Sequence, residues 1–156
     1  MKPTRVLFVC HGNICRSVSA QYMLQHMVDE RGLSDRFVID SAACRSDEIG
    51  NPIYPPARRK LVEHGVPIGN HRAVKIAKRD GDEWDLIVGM DVENMRDLKR
   101  ILGPNPRAQV VKALELLGSN DDIGDPWWTG DFDTVFYELD AVCEEIIARY
   151  GQGNQD

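Results

Sequence analysis

Four short runs rich in β-forming residues alternate along this sequence with segments in which apolar residues recur at helical spacing. The runs cover residues 5–9, 37–39, 86–90 and 109–111. Strands that are apolar throughout, and separated by helices, are typical of a parallel sheet covered on both faces. The sequence therefore predicts an α/β, doubly wound fold with a four-stranded parallel sheet and helices on both faces.

The helical segments have recognisable ends. One runs from Ser17 to Gly32, a second covers residues 56–64, a third follows a candidate cap at Asp91, and a fourth covers residues 132–150. A length of 156 residues suits one core and one domain. We expect a single domain over residues 1–150 and a disordered tail over residues 151–156.

Charge and cysteine content narrow the functional classes. The 19 basic residues are scattered and outnumbered by 25 acidic ones, which argues against binding of nucleic acid or of an anionic membrane. The first apolar run is too short for a signal segment or a membrane span, so the expected location is cytoplasmic. Four cysteines in a domain with a sizeable core are expected to stay reduced.

The stretch VLFVCHGNICRSVSAQ joins the first strand to the first helix. A loop at a helix N-terminus offers backbone N–H groups that have no intrahelical acceptor, and the helix dipole adds positive charge, so anions bind there. The glycine-rich nucleotide motif with its lysine is missing from this loop. In its place stand Cys10, five intervening residues, Arg16 and Ser17.

This arrangement favours a nucleophilic thiolate and a phosphate cradle. N–H donors, a helix N-terminus and a guanidinium all stabilise a thiolate, so Cys10 would be an activated nucleophile. The same donors, with Arg16 bidentate, would hold the oxygens of a phosphoryl group. Ser17 would donate to the sulfur. The predicted phosphate-binding residues are His11, Gly12, Asn13, Ile14, Cys15, Arg16 and Ser17.

The residues of this loop have two other interpretations. A cysteine at a strand end is often an inert buried thiol, but that alternative ignores the Arg–Ser pair and the following helix. A zinc site formed by Cys10, His11 and Cys15 would lack a second close pair of ligands.

The segment CHGNICRS resembles the signature loop of the low-molecular-weight protein tyrosine phosphatases. The resemblance extends over nearly the whole chain, through DSAA at 40–43, EIGNP at 48–52, HGV at 64–66, MDVENMRDL at 90–98 and DPWW at 125–128. It implies an enzyme that hydrolyses aryl phosphate monoesters, phosphotyrosine in proteins above all, and releases inorganic phosphate without a metal or other cofactor.

The resemblance also implies roles for individual residues. Cys10 would attack phosphorus to form a cysteinyl-phosphate, Arg16 would clamp its oxygens, and Asp125 would act as general acid and then as base. A hydrogen-bond network would support the loop; its members are Asn13, Ser17, Ser41 and His71.

Further roles follow from the same resemblance. Cys15 would capture an oxidised Cys10 as a disulfide and protect it from irreversible oxidation. Trp127 and Trp128 replace a pair of tyrosines common in the family and would form, with Asp47, a wall beside the substrate ring. An acidic Asp47 should weaken binding of acidic phosphopeptides.

Three alternatives remain open at this stage. An arsenate reductase would need two relay cysteines, for which only Cys44 and Cys143 are left, and Cys143 lies on the apolar stripe of the last helix. A protein-arginine phosphatase would have threonine where Ile14 stands. A non-catalytic phosphopeptide-binding domain would not need Cys10, Arg16 and Asp125 together. The sequence names neither a physiological substrate nor an oligomeric state.

Overall fold

A computed structural model describes residues 2–152 of the chain. Its strands are β1 (Thr4–Cys10), β2 (Phe37–Ala43), β3 (Leu86–Gly89) and β4 (Gln109–Lys112). Its helices are α1 (Arg16–Glu30), α2 (Pro55–Glu63), α3 (Asp80–Glu83), α4 (Val92–Leu102), α5 (Pro126–Thr129) and α6 (Phe132–Tyr150). Two short 3-10 helices span Ser34–Arg36 and Ala113–Leu117.

The four strands form one parallel sheet in the order β2-β1-β3-β4. Apolar side chains of β1 alternate between its faces: Val6 and Phe8 pack with α1 and α6, whereas Leu7 and Val9 pack with α4. Two cores therefore lie on opposite faces of the sheet. The predicted doubly wound α/β fold with four parallel strands is confirmed.

The edge strands differ from the prediction in one respect. β2 continues to Ala43 because it pairs with β1 along its whole length, with Cys10 opposite Ala43. Ser41 and Cys10 therefore lie within strands and not in the loops after them. Val38 in β2 is 40% exposed, since an edge strand has a neighbour on one side only. The prediction that each strand is apolar throughout does not hold for β2, which contains Asp40 and Ser41.

Two described residues, Gly151 and Gln152, follow the last helix, and the first of them packs against the rest of the protein. Gly151 is buried, and its carbonyl accepts a hydrogen bond of 3.0 Å from Arg36 Nη1. The remainder of the predicted tail, residues 153–156, lies outside the described residues. Within residues 2–152, no helix is long and apolar enough to span a membrane.

Candidate active site

A small cavity of about 270 Å³ opens at the carboxyl edge of the sheet, where β1 ends and α1 begins. Parallel sheets place ligands at this edge, because the connections diverge there. The lining combines the loop after β1 with two distant segments of the chain: Cys10, His11, Gly12, Ile14, Cys15, Arg16, Asp47, Glu48, Asp125, Trp127 and Trp128.

Asn13 fixes the shape of the loop after β1. It has φ +60°, in the left-handed region that asparagine tolerates better than most residues. Its side-chain amide donates to Ser17 Oγ and to Ser41 Oγ, both at 2.9 Å, while its Oδ1 accepts from the backbone of Val74 at 3.1 Å. His71 Nε2 donates to the Asn13 carbonyl at 2.6 Å. The structure thus brings together the four residues predicted as a supporting network.

The Cys10 thiol lies at the bottom of the cavity. It is 3% exposed, and its Sγ is 3.1 Å from Ser17 Oγ. Cys15 is the N-cap of α1, so the first backbone N–H groups of that helix have no intrahelical acceptor and lie beside the cavity. Gly12 leaves room for a neighbour, because a Cβ there would lie 3.1 Å from Glu48 Cγ.

Arg16 is the most constrained charge of the site. Its side chain is 2% exposed, and Nη1 donates to Asp91 Oδ2 at 2.7 Å and to the Ile123 carbonyl at 2.8 Å. Burial by itself lowers the pKa of the guanidinium, but the charges of Cys10, Asp91 and Asp125 outweigh burial and raise it. The side chain is therefore a permanent buried cation beside the sulfur.

Asp125 and the aromatic side chains after it form one side of the cavity. Asp125 Oδ2 lies 3.6 Å from Arg16 Nη2, and its Oδ1 accepts from the backbone of Trp127 at 3.0 Å as the N-cap of α5. Trp127 is 54% exposed and Trp128 is 82% exposed. The predicted general acid and ring wall therefore face the same space as Cys10.

Tyr54 was missed by the sequence analysis. Its ring centroid is 4.8 Å from that of Trp127, and its backbone N–H donates to the Ile14 carbonyl at 2.8 Å. Tyr54 therefore connects the loop after β1 to the segment that holds Asp125. An aromatic residue before a pair of prolines was the only signal in the sequence, and it does not reveal such a contact.

A second unpredicted feature is the position of the His11 imidazole at the cavity mouth. Nε2 is 2.8 Å from Asp47 Oδ2, and Nδ1 is 3.5 Å from Glu93 Oε1. The hydrogen bond that the imidazole donates to Asp47 is the main reason that the pKa of His11 is raised, with Glu93 adding to it. The same bond lowers the pKa of Asp47. The His11 ring is thus directed to two carboxylates.

The remaining cysteines and His71 are all affected by burial. Burial is the main cause of the raised pKa of Cys15, of Cys143 and of Cys44, the last to about 12. Cys143 is fully buried against α1, where its Sγ is 3.8 Å from the Ala20 carbonyl. Burial also lowers the pKa of His71. In residues 2–152, no three His, Cys, Asp or Glu side chains converge as metal ligands would.

Comparison with known proteins gives consistent matches along the chain. A family model described as "Low molecular weight phosphotyrosine protein phosphatase" matches residues 5–155. The human protein of that name is 37% identical over 152 residues, which are 92% of this chain and 94% of the relative. The low molecular weight protein-tyrosine-phosphatase YfkJ of Bacillus subtilis is 32% identical over 152 residues, 96% of this chain and 97% of its own.

Solved structures agree with these matches. The crystal structure of YfkJ from Bacillus subtilis superposes with a TM-score of 0.92 at 30% identity and covers 99% of both chains. That of DARP, the Drosophila arginine phosphatase, superposes with a TM-score of 0.85 at 31% identity, covering 96% of this chain and 98% of its own.

Proposed function

Because this chain belongs to the low molecular weight phosphotyrosine protein phosphatase family, we propose that it hydrolyses phosphotyrosine in proteins through a cysteinyl-phosphate intermediate. The observation that supports this most directly is one cavity lined by Cys10, Arg16 and Asp125. A nucleophile, a fixed cation and an acid are the three groups that transfer of a phosphoryl group to a thiol needs. The proposal assigns the activity to a single domain over residues 1–150.

Substrate binding uses groups that are already in place. Nη1 of Arg16 is occupied by Asp91 and Ile123, which leaves Nε and Nη2 as an edge for two phosphoryl oxygens. Backbone N–H groups of residues 11–16 complete the cradle for the equatorial oxygens. Since the Asn13 network holds this loop, little reorganisation accompanies binding.

The first chemical step breaks the ester bond. The sulfur of Cys10 attacks phosphorus in line with the phenolic oxygen, an S–P bond forms, and the P–O bond to the ring breaks. Asp125 donates a proton to the leaving oxygen. Asp125 is suited to this role because its Oδ2 lies 3.6 Å from Arg16 Nη2, beside the cavity that the phosphoryl group would enter.

The second step regenerates the enzyme. Asp125, now ionised, accepts a proton from water, the water oxygen bonds to phosphorus, and the S–P bond breaks to release inorganic phosphate. Ser17 Oγ, 3.1 Å from Cys10 Sγ, donates its proton toward the departing thiolate. The thiolate is thus stabilised in both steps by the same hydroxyl.

The cavity walls favour an aromatic leaving group. Ile14 and Trp127 line the space above the sulfur with apolar surface, and the exposed Trp128 extends that surface to the mouth. A phenyl ring gains from stacking there, whereas a guanidinium would lose part of its hydration. Phosphotyrosine is therefore favoured over phosphoarginine as the substrate group.

We also propose Cys15 as a redox partner of Cys10. Peroxide would oxidise Cys10 to a sulfenic acid, and the Cys15 sulfur would attack it, forming a disulfide and releasing water. Both thiols are buried at the same loop. Peroxide treatment followed by dithiothreitol should restore activity in the wild type and fail to do so in Cys15→Ser.

The nucleophile must stay reduced for turnover, so we place the enzyme in a reducing compartment, the cytoplasm, with tyrosine-phosphorylated proteins as its partners. Fractionation of cells that express the chain would test this location.

The positions of the cysteines argue against an arsenate reductase. Such an enzyme would need Cys143 as a relay cysteine, but Cys143 is fully buried in the core between α1 and α6.

The function is tested with p-nitrophenyl phosphate and a phosphotyrosine peptide. Cys10→Ser should abolish turnover of both. Asp125→Asn should slow the peptide at least 100-fold more than p-nitrophenyl phosphate, whose leaving group needs less protonation. Asp122→Asn is the matched control, since Asp122 pairs with Lys112 outside the cavity. Full turnover by Cys10→Ser would refute the mechanism, and binding without phosphate release by the wild type would indicate a phosphopeptide-binding domain.

Protein-arginine phosphatase activity is a second candidate because DARP is 31% identical to this chain. We expect kcat/KM for a phosphotyrosine peptide to exceed that for the matching phosphoarginine peptide by more than tenfold. Ile14→Thr should reduce this ratio by placing a hydroxyl beside the leaving group. A wild type that prefers phosphoarginine would replace the proposed substrate class with the second one.

A further inference from the structure

The mouth of the cavity contains an ionisable cluster that none of the catalytic steps uses. The His11 ring lies between Asp47 Oδ2, at 2.8 Å, and Glu93 Oε1, at 3.5 Å. These residues come from three separate parts of the chain: the loop after β1, the segment between β2 and α2, and the first turn of α4. The cluster therefore forms only in the folded protein, and its location is where a peptide must pass.

Other charged side chains around the imidazole already have hydrogen-bond partners. Arg45, whose backbone N–H donates to the His11 carbonyl, makes a bidentate ion pair with Asp97 at 2.9 and 3.0 Å. Glu48, which also lines the cavity, accepts from Asn51 at 2.6 Å. Deeper in the site lie Cys10, Arg16 and Asp125, which line the cavity, and Asp91, which pairs with Arg16.

An imidazole such as that of His11 is chemically suited to change its charge near neutral pH. The bond to Asp47 raises its pKa above the ordinary value of about 6.5, so the ring keeps its proton to higher pH than a free histidine. Loss of that proton makes the mouth, where Asp47, Glu48 and Glu93 also lie, more negative by one full charge.

We propose that His11 is a specificity-determining residue, whose imidazole charge sets the field at the cavity mouth and so the relative rates for phosphopeptides with basic and acidic flanks. This inference rests on the proposed phosphatase function. With the ring protonated, the cation offsets part of the carboxylate charge. With the ring neutral, the mouth repels acidic peptides and attracts basic ones.

The size of the effect follows from Coulomb's law. One charge about 8 Å from a flanking side chain in water changes binding of each peptide about twofold, in opposite directions for the two peptides. Counting one flanking side chain in each peptide, the ratio of their kcat/KM values should therefore rise about fourfold at low ionic strength as His11 loses its proton. Physiological salt shortens the screening length to about 8 Å and should reduce this rise.

The experiment uses two peptides with the same central phosphotyrosine, one flanked by two lysines and the other by two glutamates. The quantity measured is kcat/KM for the lysine peptide divided by that for the glutamate peptide, from pH 5.5 to 8.5 at low ionic strength. Effects of pH on the chemical step that the two peptides share largely cancel in this ratio. The lysine and glutamate flanks do not titrate in this range.

Three variants separate the effect of the imidazole charge on the ratio from the effects of other charges. His11→Gln is neutral at every pH, so its ratio should be high and independent of pH. Asp47→Asn, at an exposed position, should fold normally, give a lower ratio than the wild type at both ends of the pH range, and shift the midpoint of the rise to lower pH, because the bond that raises the pKa of His11 is lost. Glu30→Gln is the matched control: it removes a carboxylate paired with His26 at 3.3 Å, at the far end of α1, about 20 Å from the loop. Its ratio should rise with pH as in the wild type.

A wild-type ratio that rises with a midpoint above about pH 6.5, and is flat in His11→Gln, supports the inference. A flat wild-type ratio with both peptides hydrolysed overturns it and leaves the proposed function intact. A rise that persists in His11→Gln also overturns it, by assigning the effect to another group. Failure of the wild type to hydrolyse either peptide or p-nitrophenyl phosphate overturns the proposed function, and this inference with it.

Discussion

Replacing Asp91 with asparagine tests whether the buried pair with Arg16 stabilises the fold as well as the site. Asp91 Oδ2 accepts the 2.7 Å bond from Arg16, while its Oδ1 caps α4 by accepting from the Asn94 backbone at 2.8 Å. Asparagine is an equally good N-cap, so Asp91→Asn removes the charge and keeps the cap. The loss can then be attributed to the ion pair.

The magnitude follows from the burial of the two partners. Removing one member of a fully buried pair costs about 3–5 kcal/mol. The Asp91 side chain is 21% exposed, and the Ile123 carbonyl still accepts from Arg16. We therefore expect Asp91→Asn to lower the free energy of unfolding by about 2–3 kcal/mol, and Tm by about 4–12 °C.

The assay is urea unfolding at neutral pH, with the slope of free energy against urea concentration compared between proteins. Glu144→Gln is the control, because the Arg31–Glu144 pair has the same 2.7 Å distance but side chains that are 41% and 48% exposed. Exposed pairs contribute about 0–1 kcal/mol. If the free energy of unfolding fell no more in Asp91→Asn than in Glu144→Gln, the argument from burial would be refuted.

Three further outcomes are expected. Asn13→Gly and Asn13→Ala should both lose the loop network and much of the activity, but urea unfolding should find the alanine variant about 1 kcal/mol less stable, since φ +60° strains a side chain and not glycine. Burial lowers the pKa of His71, so the unfolded chain binds the proton more readily, and the wild type should lose stability as pH falls below about 6.5. In His71→Gln the free energy of unfolding should depend less on pH, which urea unfolding between pH 5 and 7 would measure. Tyr54→Ala should lower the free energy of unfolding by about 1 kcal/mol or more, because it removes the contact with Trp127. Tyr54→Phe keeps the ring and should have the same free energy of unfolding as the wild type.

Periodicity predicted the long elements well because each has several turns or a continuous apolar run. The four strands and the helix from 132 to 150 follow from that pattern, whereas the strand order β2-β1-β3-β4 was not predicted, because periodicity does not show which strands pair. The end of β2 was placed too early, since Asp40 and Ser41 are polar and only pairing with β1 shows them to be strand. Helices α3 and α5 have four residues each, which is too short for any period to appear.

The site was predictable where it is local in sequence. Cys10 and Arg16 lie on one loop, and the family resemblance supplied the distant Asp125. The partners of Arg16 were not predictable as contacts, because Asp91 and Ile123 reach it only through the packing of the sheet edge. The pairing of His11 with Glu93 is of the same kind, since it depends on where α4 begins.

The Asn13 network has a consequence for regulation by product. All its hydrogen bonds form within the protein itself, so the cradle is complete before any ester arrives. Such a preassembled cradle fits the liberated tetrahedral anion as well as the esterified one. Orthophosphate should accordingly compete with substrate, and vanadate or sulfate should bind at the same site. The turnover rate should therefore depend on the concentration of oxyanions around the enzyme.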